Sequence, residues 1–221
     1  MNLTYYSFPP FAIDKNRVTV IDTATQRVYR DLTLGLQDRA DTVYLSNDSF
    51  ETIELSKGSK WYGDPMLTLD LNVLFQKKLQ AKLTTLLAED QVVQMADDLR
   101  RLLSQLLADS YLMDVPLELP EIPGLAKLIK FSNIQLTSEL NDDAYAIIET
   151  LIKVLLELND HKLIVLTNVS HYLSSSQLQM LVRFMANADL PLLLIEFSPT
   201  KRTSYFKECD YHFIDDDFVL W

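Results

Sequence analysis

The chain has 221 residues, is 48% hydrophobic and carries a formal net charge of −11. That length can bury a sizeable core, and that apolar share excludes a disordered chain. The acidic total repels a polyanion at long range, so any binding of nucleic acid must use a local basic surface.

Met1–Phe11 has neither the basic patch nor the apolar run of a secretory leader, and Pro9 and Pro10 interrupt it. The longest apolar runs, Leu163–Leu166 and Leu190–Phe197, fall far short of the roughly 20 residues a membrane-spanning helix needs. A soluble protein with no membrane partner is expected. The single cysteine, Cys209, has no partner for an internal disulfide and suits a reducing cytoplasm.

Taken in chain order, Leu3–Phe8, Arg17–Ile21 and Thr42–Ser46 read as strands. Phe50–Leu55 follows the turn signal Asn47-Asp48-Ser49 and predicts a hairpin over 42–55. Thr23–Leu36 places Val28, Leu32 and Leu36 at helical spacing, with Asp22 or Thr23 as N-cap. Met66–Leu71 alternates apolar and polar residues like a strand. From Asn72 the period becomes helical, with Phe75, Leu79, Leu83 and Leu86 on one stripe and Val92, Ala96, Leu99, Leu103 and Leu106 on another. Ala88-Glu89-Asp90 marks the break between the two helices. Pro116, Pro120 and Pro123 make the following segment a linker or hinge, before a short helix through Lys130. Asn141–Leu158 is a further amphipathic helix.

Lys162–Thr167 and Pro191–Phe197 are continuous apolar runs around a Ser174–Ala188 helix, which predicts parallel strands joined by a crossover. Tyr211–Ile214 and Phe218–Trp221 flank Asp215-Asp216-Asp217 as a terminal hairpin. The expected fold class is α/β. Residues 1–71 and 159–221 form a head with a mixed sheet, an NTPase-like core without a phosphate loop, and residues 72–158 form an inserted helical leg domain.

Gly58-Ser59-Lys60-Trp61-Tyr62-Gly63 has the glycine spacing of a phosphate loop, but Asp64-Pro65 follows where Lys and Ser or Thr are needed. No nucleotide is expected there. Asn168 ends the apolar strand at which such proteins place a magnesium-holding acid. Ser170-His171 and Cys209 with His212 lack a third group for nucleophilic catalysis, and His161, His171 and His212 have no metal-ligand spacing. Carboxylates are the only chemical group in excess. Converging on magnesium they would make a nuclease. Glu118, Glu121, Asp142 and Asp143, around the hinge and at the next helix start, can jointly hold calcium, with helix capping as the alternative role for Asp142 or Asp143. Lys57, Lys60, Lys77, Lys78 and Lys82 stand against Asp64 and Asp70, so 57–82 carries +3 and the remainder −14. These lysines are either a phosphate-binding surface or an ordinary solvated helix face.

The series Asp70-Leu71-Asn72, His161-Lys162-Leu163-Ile164-Val165-Leu166-Thr167-Asn168, Leu192-Leu193-Leu194-Ile195-Glu196 and Tyr211-His212-Phe213-Ile214-Asp215-Asp216-Asp217-Phe218, in that order and at this length, resembles the short form of the Csn ring protein of type II-A CRISPR systems. The resemblance implies a non-enzymatic homotetrameric ring that encircles double-stranded DNA ends during spacer acquisition, in the cytoplasm, alongside the integrase pair and the effector nuclease. It also implies structural calcium and inward-facing lysines. Lys57, Lys60, Lys77, Lys78 and Lys82 fall in the matching region, with Lys127 and Lys130 as second-tier candidates. Leu119 and Pro120 break up the family's acidic hinge run, which bears on calcium stoichiometry. The alternative is a protein-interaction module with an inactive NTPase-like head and no DNA binding of its own.

Overall fold

The structure is a computed structural model that describes residues 1–87, 89–109, 115, 124–137 and 143–221. Its contacts divide the chain into two units, Met1–Asp70 with Ser138–Trp221, and Leu71–Thr137. Helix Ala144–Glu157 thus groups with the first unit, whereas the sequence reading placed it in the leg.

Nine strands of the first unit form two sheets. In one, β1 (Asn2–Tyr5), β2 (Phe11–Ala12), β4 (Val43–Ser46) and β5 (Thr52–Ile53) pair antiparallel in the order β2-β1-β4-β5. In the other, β3 (Val18–Thr23), β6 (Ser59–Gly63), β7 (Leu163–Thr167), β8 (Leu192–Phe197) and β9 (Asp210–Ile214) are all parallel, in the order β6-β7-β8-β3-β9. The expected single mixed sheet is therefore two sheets of opposite kind. β3, β7 and β8 are buried almost end to end, as strands covered on both faces must be.

One apolar cluster joins Leu3, Phe11, Val43 and Leu45 of the antiparallel sheet, Val28, Leu32 and Leu36 of α1 (Gln26–Leu36), and Ile21, Val165, Leu193 and Ile195 of the parallel sheet. Val20, Ile164, Leu166 and Leu194 alternate to the opposite face and are equally buried. Helices α6 (Ala144–Glu157) and α7 (Ser175–Met185) pack on each other and bury Ile148, Leu151, Leu155, Leu178 and Leu181. Ser174 and Gln177 close a capping box at the start of α7.

Several sequence expectations shift. Asp22 and Thr23 remain in β3, and Thr25 is the residue before α1. The glycine-spaced segment 58–63 spans the end of α2 (Leu55–Gly58) and edge strand β6, so its glycines open no helix. Met66–Leu71 is not a strand. Asp64 Oδ1 accepts the backbone N–H of Met66 (3.0 Å) and Leu67 (3.1 Å), and this carboxylate-held turn overrides the alternation. The terminal hairpin closes as expected: Phe213 and Trp221 exchange backbone bonds of 3.2 and 2.9 Å.

In the second unit α3 (Leu71–Leu86) packs on α5 (Leu125–Ser132), with α4 (Glu89–Asp109) between them in sequence. Asn72 exchanges two hydrogen bonds with the Leu136 backbone (3.2 and 2.8 Å), and Gln76 donates to Asn133 (2.9 Å).

Gly35 faces β4 from α1: a Cβ there would meet Val43 Cγ2 at 2.8 Å and press on Thr42 Oγ1. Gly35→Ala gains about 1 kcal/mol of helix propensity but suffers roughly 1–3 kcal/mol of overpacking. We expect a net loss of stability in urea unfolding. A variant more stable than the parent would show that α1 does not seat on β4 this closely.

Candidate functional site

Because all strands of the second sheet run one way, their carboxyl ends gather along one edge. The connections switch direction there: β8 lies on one side of β3, and the next strand, β9, on the other. In open parallel sheets a crevice forms at such a point and commonly receives a ligand. Here the end of β3 supplies Asp22 and the end of β8 supplies Glu196, both fully buried. Arg202, from the β8–β9 loop, lies across both. Its Nε donates to Asp22 Oδ2 (3.0 Å) and its Nη2 to Asp22 Oδ1 (3.1 Å), a two-pronged match of guanidinium to carboxylate. Nη2 also stands 3.6 Å from Glu196 Oε2.

The remaining capacity is filled by neighbours. Ser170, just after β7, gives its backbone N–H to Glu196 Oε1 (3.1 Å) and its hydroxyl to Glu196 Oε2 (2.6 Å), while its oxygen accepts from Arg202 Nη1 (2.6 Å). Tyr211 of β9 donates to Asp22 Oδ2 (2.9 Å) and accepts the Arg202 backbone N–H (2.8 Å). Burial pushes both carboxyls above their ordinary range. The bonds from Arg202 to Asp22 and from Ser170 to Glu196 pull the other way without cancelling it.

A second chain of bonds runs beside the first. Tyr29 of α1 donates to Asn168 Oδ1 (3.1 Å), and Asn168 Nδ2 and the Tyr172 hydroxyl donate to Asp64 Oδ2 (3.3 and 3.0 Å). Asn168 sits in the left-handed region at φ 57°. Its amide joins α1 to the turn after β6 at the place where a metal-holding acid was sought in sequence. His171 packs edge-on against Tyr172, and His212 against Phe11. Burial, with Glu208 and Asp210 nearby, pushes the Cys209 thiol up to about 12. It stays a thiol at neutral pH, the inert form for a nucleophile.

The lysines fall in two groups. In the first unit Lys57 pairs with Glu54 at 2.8 Å. Lys60 lies over the Tyr62 ring at 4.9 Å and lines a cleft with Trp61 and Lys162, a cation not singled out from sequence. In the second unit Lys77 and Lys78 are exposed and Lys82 is half-buried on α3, and Lys127 and Lys130 are exposed on α5. Lys78 and Lys82, four residues apart, stack on one face. Neither helix contains an acidic residue, so this packed pair carries five lysines and no carboxylate. By contrast, Arg100 and Arg101 of α4 are each paired with an aspartate three residues earlier.

Of the proposed calcium ligands, Glu118, Glu121 and Asp142 lie outside the described residues. Asp143 is the N-cap of α6, its Oδ1 accepting the Tyr145 N–H at 2.9 Å. Among the described residues no group of three or more His, Cys, Asp or Glu converges on a cation position. The described residues alone therefore do not build a calcium site. Among them, no helix is long and apolar enough to cross a membrane.

Comparison with known proteins settles the family. Residues 40–218 match the model of the CRISPR-associated protein family Cas_Csn2. The chain belongs to the Csn2 family. A crystal structure described as that of Stu0660 of Streptococcus thermophilus has the same fold, with a TM-score of 0.55 at 11% identity, over 100% of this chain and 76% of that one. No curated protein matches the chain. The resemblance to the type II-A ring protein, read from the order of elements, holds at the level of family.

For this Csn2-family chain, sequence reasoning missed the Asp22–Arg202–Glu196 network. The available signal was an acid inside the apolar run Pro191–Phe197 and another directly after the strand-like Arg17–Ile21. A buried carboxylate demands a partner.

Arg202→Ala leaves two dehydrated carboxyls unpaired and is expected to cost about 3 kcal/mol at neutral pH. Both carboxyls have raised folded values, so their favourable contribution is present below the ordinary carboxylate range and is lost as pH rises through the folded values. Glu196→Gln removes one titration from that window. Urea unfolding of parent and variant should therefore diverge in the variant's favour between pH 4 and neutrality. Parallel stability curves would show that Glu196 keeps an ordinary carboxylate value.

Proposed function

We propose that this chain is a non-catalytic, sequence-independent binder of double-stranded DNA ends, acting as a closed homotetrameric ring in CRISPR spacer acquisition. What supports the reading most is the α3/α5 pair: five lysines with no acidic residue in either helix, in a chain of net charge −11. Charge segregated in this way binds phosphate rather than merely solvating a helix. Lysine offers a point charge with rotatable donors, suited to phosphate oxygens and not to the fixed geometry of base edges. The lysines of the first unit, Lys57 and Lys60, belong to the same proposal.

Ring closure multiplies a modest patch. Each copy presents the same lysines, and once one copy holds the duplex the others act at high effective concentration. The acidic remainder disfavours binding elsewhere on the surface. In the parallel sheet of the head, Arg202 lies across the switch point and is held by Asp22, which supports a reading without nucleotide binding. The proposal assigns the protein to the cytoplasm with the integrase pair and the effector nuclease as partners. It retains calcium at Glu118, Glu121, Asp142 and Asp143 as a structural ion. A rise in thermal midpoint on adding calcium, lost when Glu118 and Glu121 become Gln, checks that element.

A second reading, a protein-interaction module without DNA binding, is favoured by the apolar groove between α4 and α5, lined by Met95, Leu99, Leu102, Leu128 and Phe131.

The deciding experiment titrates the oligomer against one duplex supplied linear and as a closed circle, at two salt concentrations. Linear-only, salt-sensitive binding is expected. Lys77→Glu with Lys78→Glu should abolish binding to every sequence alike with the oligomer intact, and each single Lys→Ala should lower the salt slope by about 1 for every copy whose lysine contacts phosphate. Equal binding to both forms would place the DNA on an outer basic face. Binding to neither leaves the interaction-module reading.

A further inference from the structure

The first unit carries a cleft of about 710 Å³. Its walls are aromatic: Tyr5, Tyr6 and Phe8 from the end of β1 and the loop after it, Tyr44 from β4, and Phe218 from the terminal hairpin. Tyr5 and Phe8 are stacked at 5.7 Å, while Tyr6 is 86% exposed and Tyr44 and Phe218 are each 47% exposed. Large aromatic faces left in water around a concave surface mark an interaction site.

Two rim residues hold backbone conformations that their side chains disfavour. Ser7 has φ 83° and Phe218 φ 59°. Each sits in a turn closed by a backbone bond, Phe8 N–H to the Tyr5 carbonyl and Phe218 N–H to the Asp215 carbonyl, both 3.1 Å. Glycine or asparagine suits such positions, and a bulky Phe there is an outlier. Strain retained at a rim is the kind that accompanies ligand clamps.

The polar floor gives the sign of the ligand. Asp31 is already engaged, by the Tyr5 hydroxyl at 3.3 Å, by Arg30 at 2.9 Å and by Arg27 at 3.7 Å. Asp41, also on the lining, is exposed and has no ion pair among the described residues. Asp216 and Asp217 stand exposed immediately before Phe218. Arg27, also on the lining, is matched by Asp31, so the aromatic faces together with the unmatched Asp41 favour a cation and disfavour a phosphate.

We propose that this cleft is a docking site for a basic segment of a partner polypeptide, with a lysine or arginine side chain lying against Tyr6, Tyr44 and Phe218 and ion-paired to Asp41. The site uses none of the residues assigned to DNA and stands independently of that reading. The guanidinium of arginine suits it best, because it can stack on a ring and pair with a carboxylate at once.

The test uses the intact protein and a fluorescein-labelled octapeptide of alternating arginine and glycine, followed by anisotropy. Asp41→Asn combined with Tyr44→Ala, both at exposed positions, should weaken binding about tenfold with an unchanged thermal midpoint. Arg27→Glu should tighten it. Equal affinity of parent and double variant would mean that the acidic surface binds the peptide diffusely, and absence of binding would overturn the site outright. A labelled single-stranded oligonucleotide serves as the other arm: if it binds the parent more tightly than the peptide does and is lost in the double variant, the cleft takes unpaired bases and the proposal fails.

Discussion

Two carboxylates at the carboxyl edge of the parallel sheet are taken wholly out of water, and one guanidinium makes that tolerable. Dehydrating each carboxylate costs several kcal/mol, and the Coulomb attraction offsets this only where hydrogen bonds fill the remaining lone pairs. Here they do, because β7, β8, β3 and β9 each end beside the cluster. Ser170 completes Glu196, Tyr211 completes Asp22, and Arg202 joins them. The same bonds fix the β8–β9 loop against β3, and so fix where β9 and the terminal hairpin lie. Side chains of the protein thus meet at the place where a sheet of this kind can offer a crevice to ligands.

This network shows where a sequence stops being legible. β7 and β8 could be read because a strand covered on both faces is a continuous apolar run, and nothing else in a short segment looks like that, while β3 was legible from the β-rich Arg17–Ile21. Glu196 interrupts the second of those runs and Asp22 directly follows Arg17–Ile21, but their partner is 180 residues from Asp22, and spacing carries no information at that separation. Asp22 was instead taken as a possible helix cap, a role its type performs well and its burial forbids. The strand at 59–63 was hidden by two glycines that mimic a phosphate loop, and the alternating segment after it was claimed by the Asp64 turn. In both places local chemistry was read correctly as to residue type and wrongly as to which backbone it served.

The lysines illustrate the opposite case. Their positions on α3 and α5 followed from helical periodicity, since residues that skip the apolar stripe must face outward. What the sequence withheld was that α3 and α5 pack together, which converts two unremarkable helices into a single surface with five cations and no anion. The proposed calcium ligands came from the placing of acids around the proline-rich segment and from the family resemblance, with helix capping as the alternative for Asp142 or Asp143. Asp143, the one described, turned out to be a helix cap, the commonest use of an acid at a helix start.

With five lysines concentrated on two helices, the rest of the chain carries −16. On the proposed reading, such a division does more than permit DNA binding at one place. A surface this acidic repels a duplex wherever it is not met by the lysines, so contact becomes productive only in one orientation. It also attracts basic protein segments over the same distances. The aromatic cleft beside Asp41 lies in the first unit and the lysine helices in the second. The proposed peptide and DNA sites share no residue, so neither ligand would compete for the other's side chains.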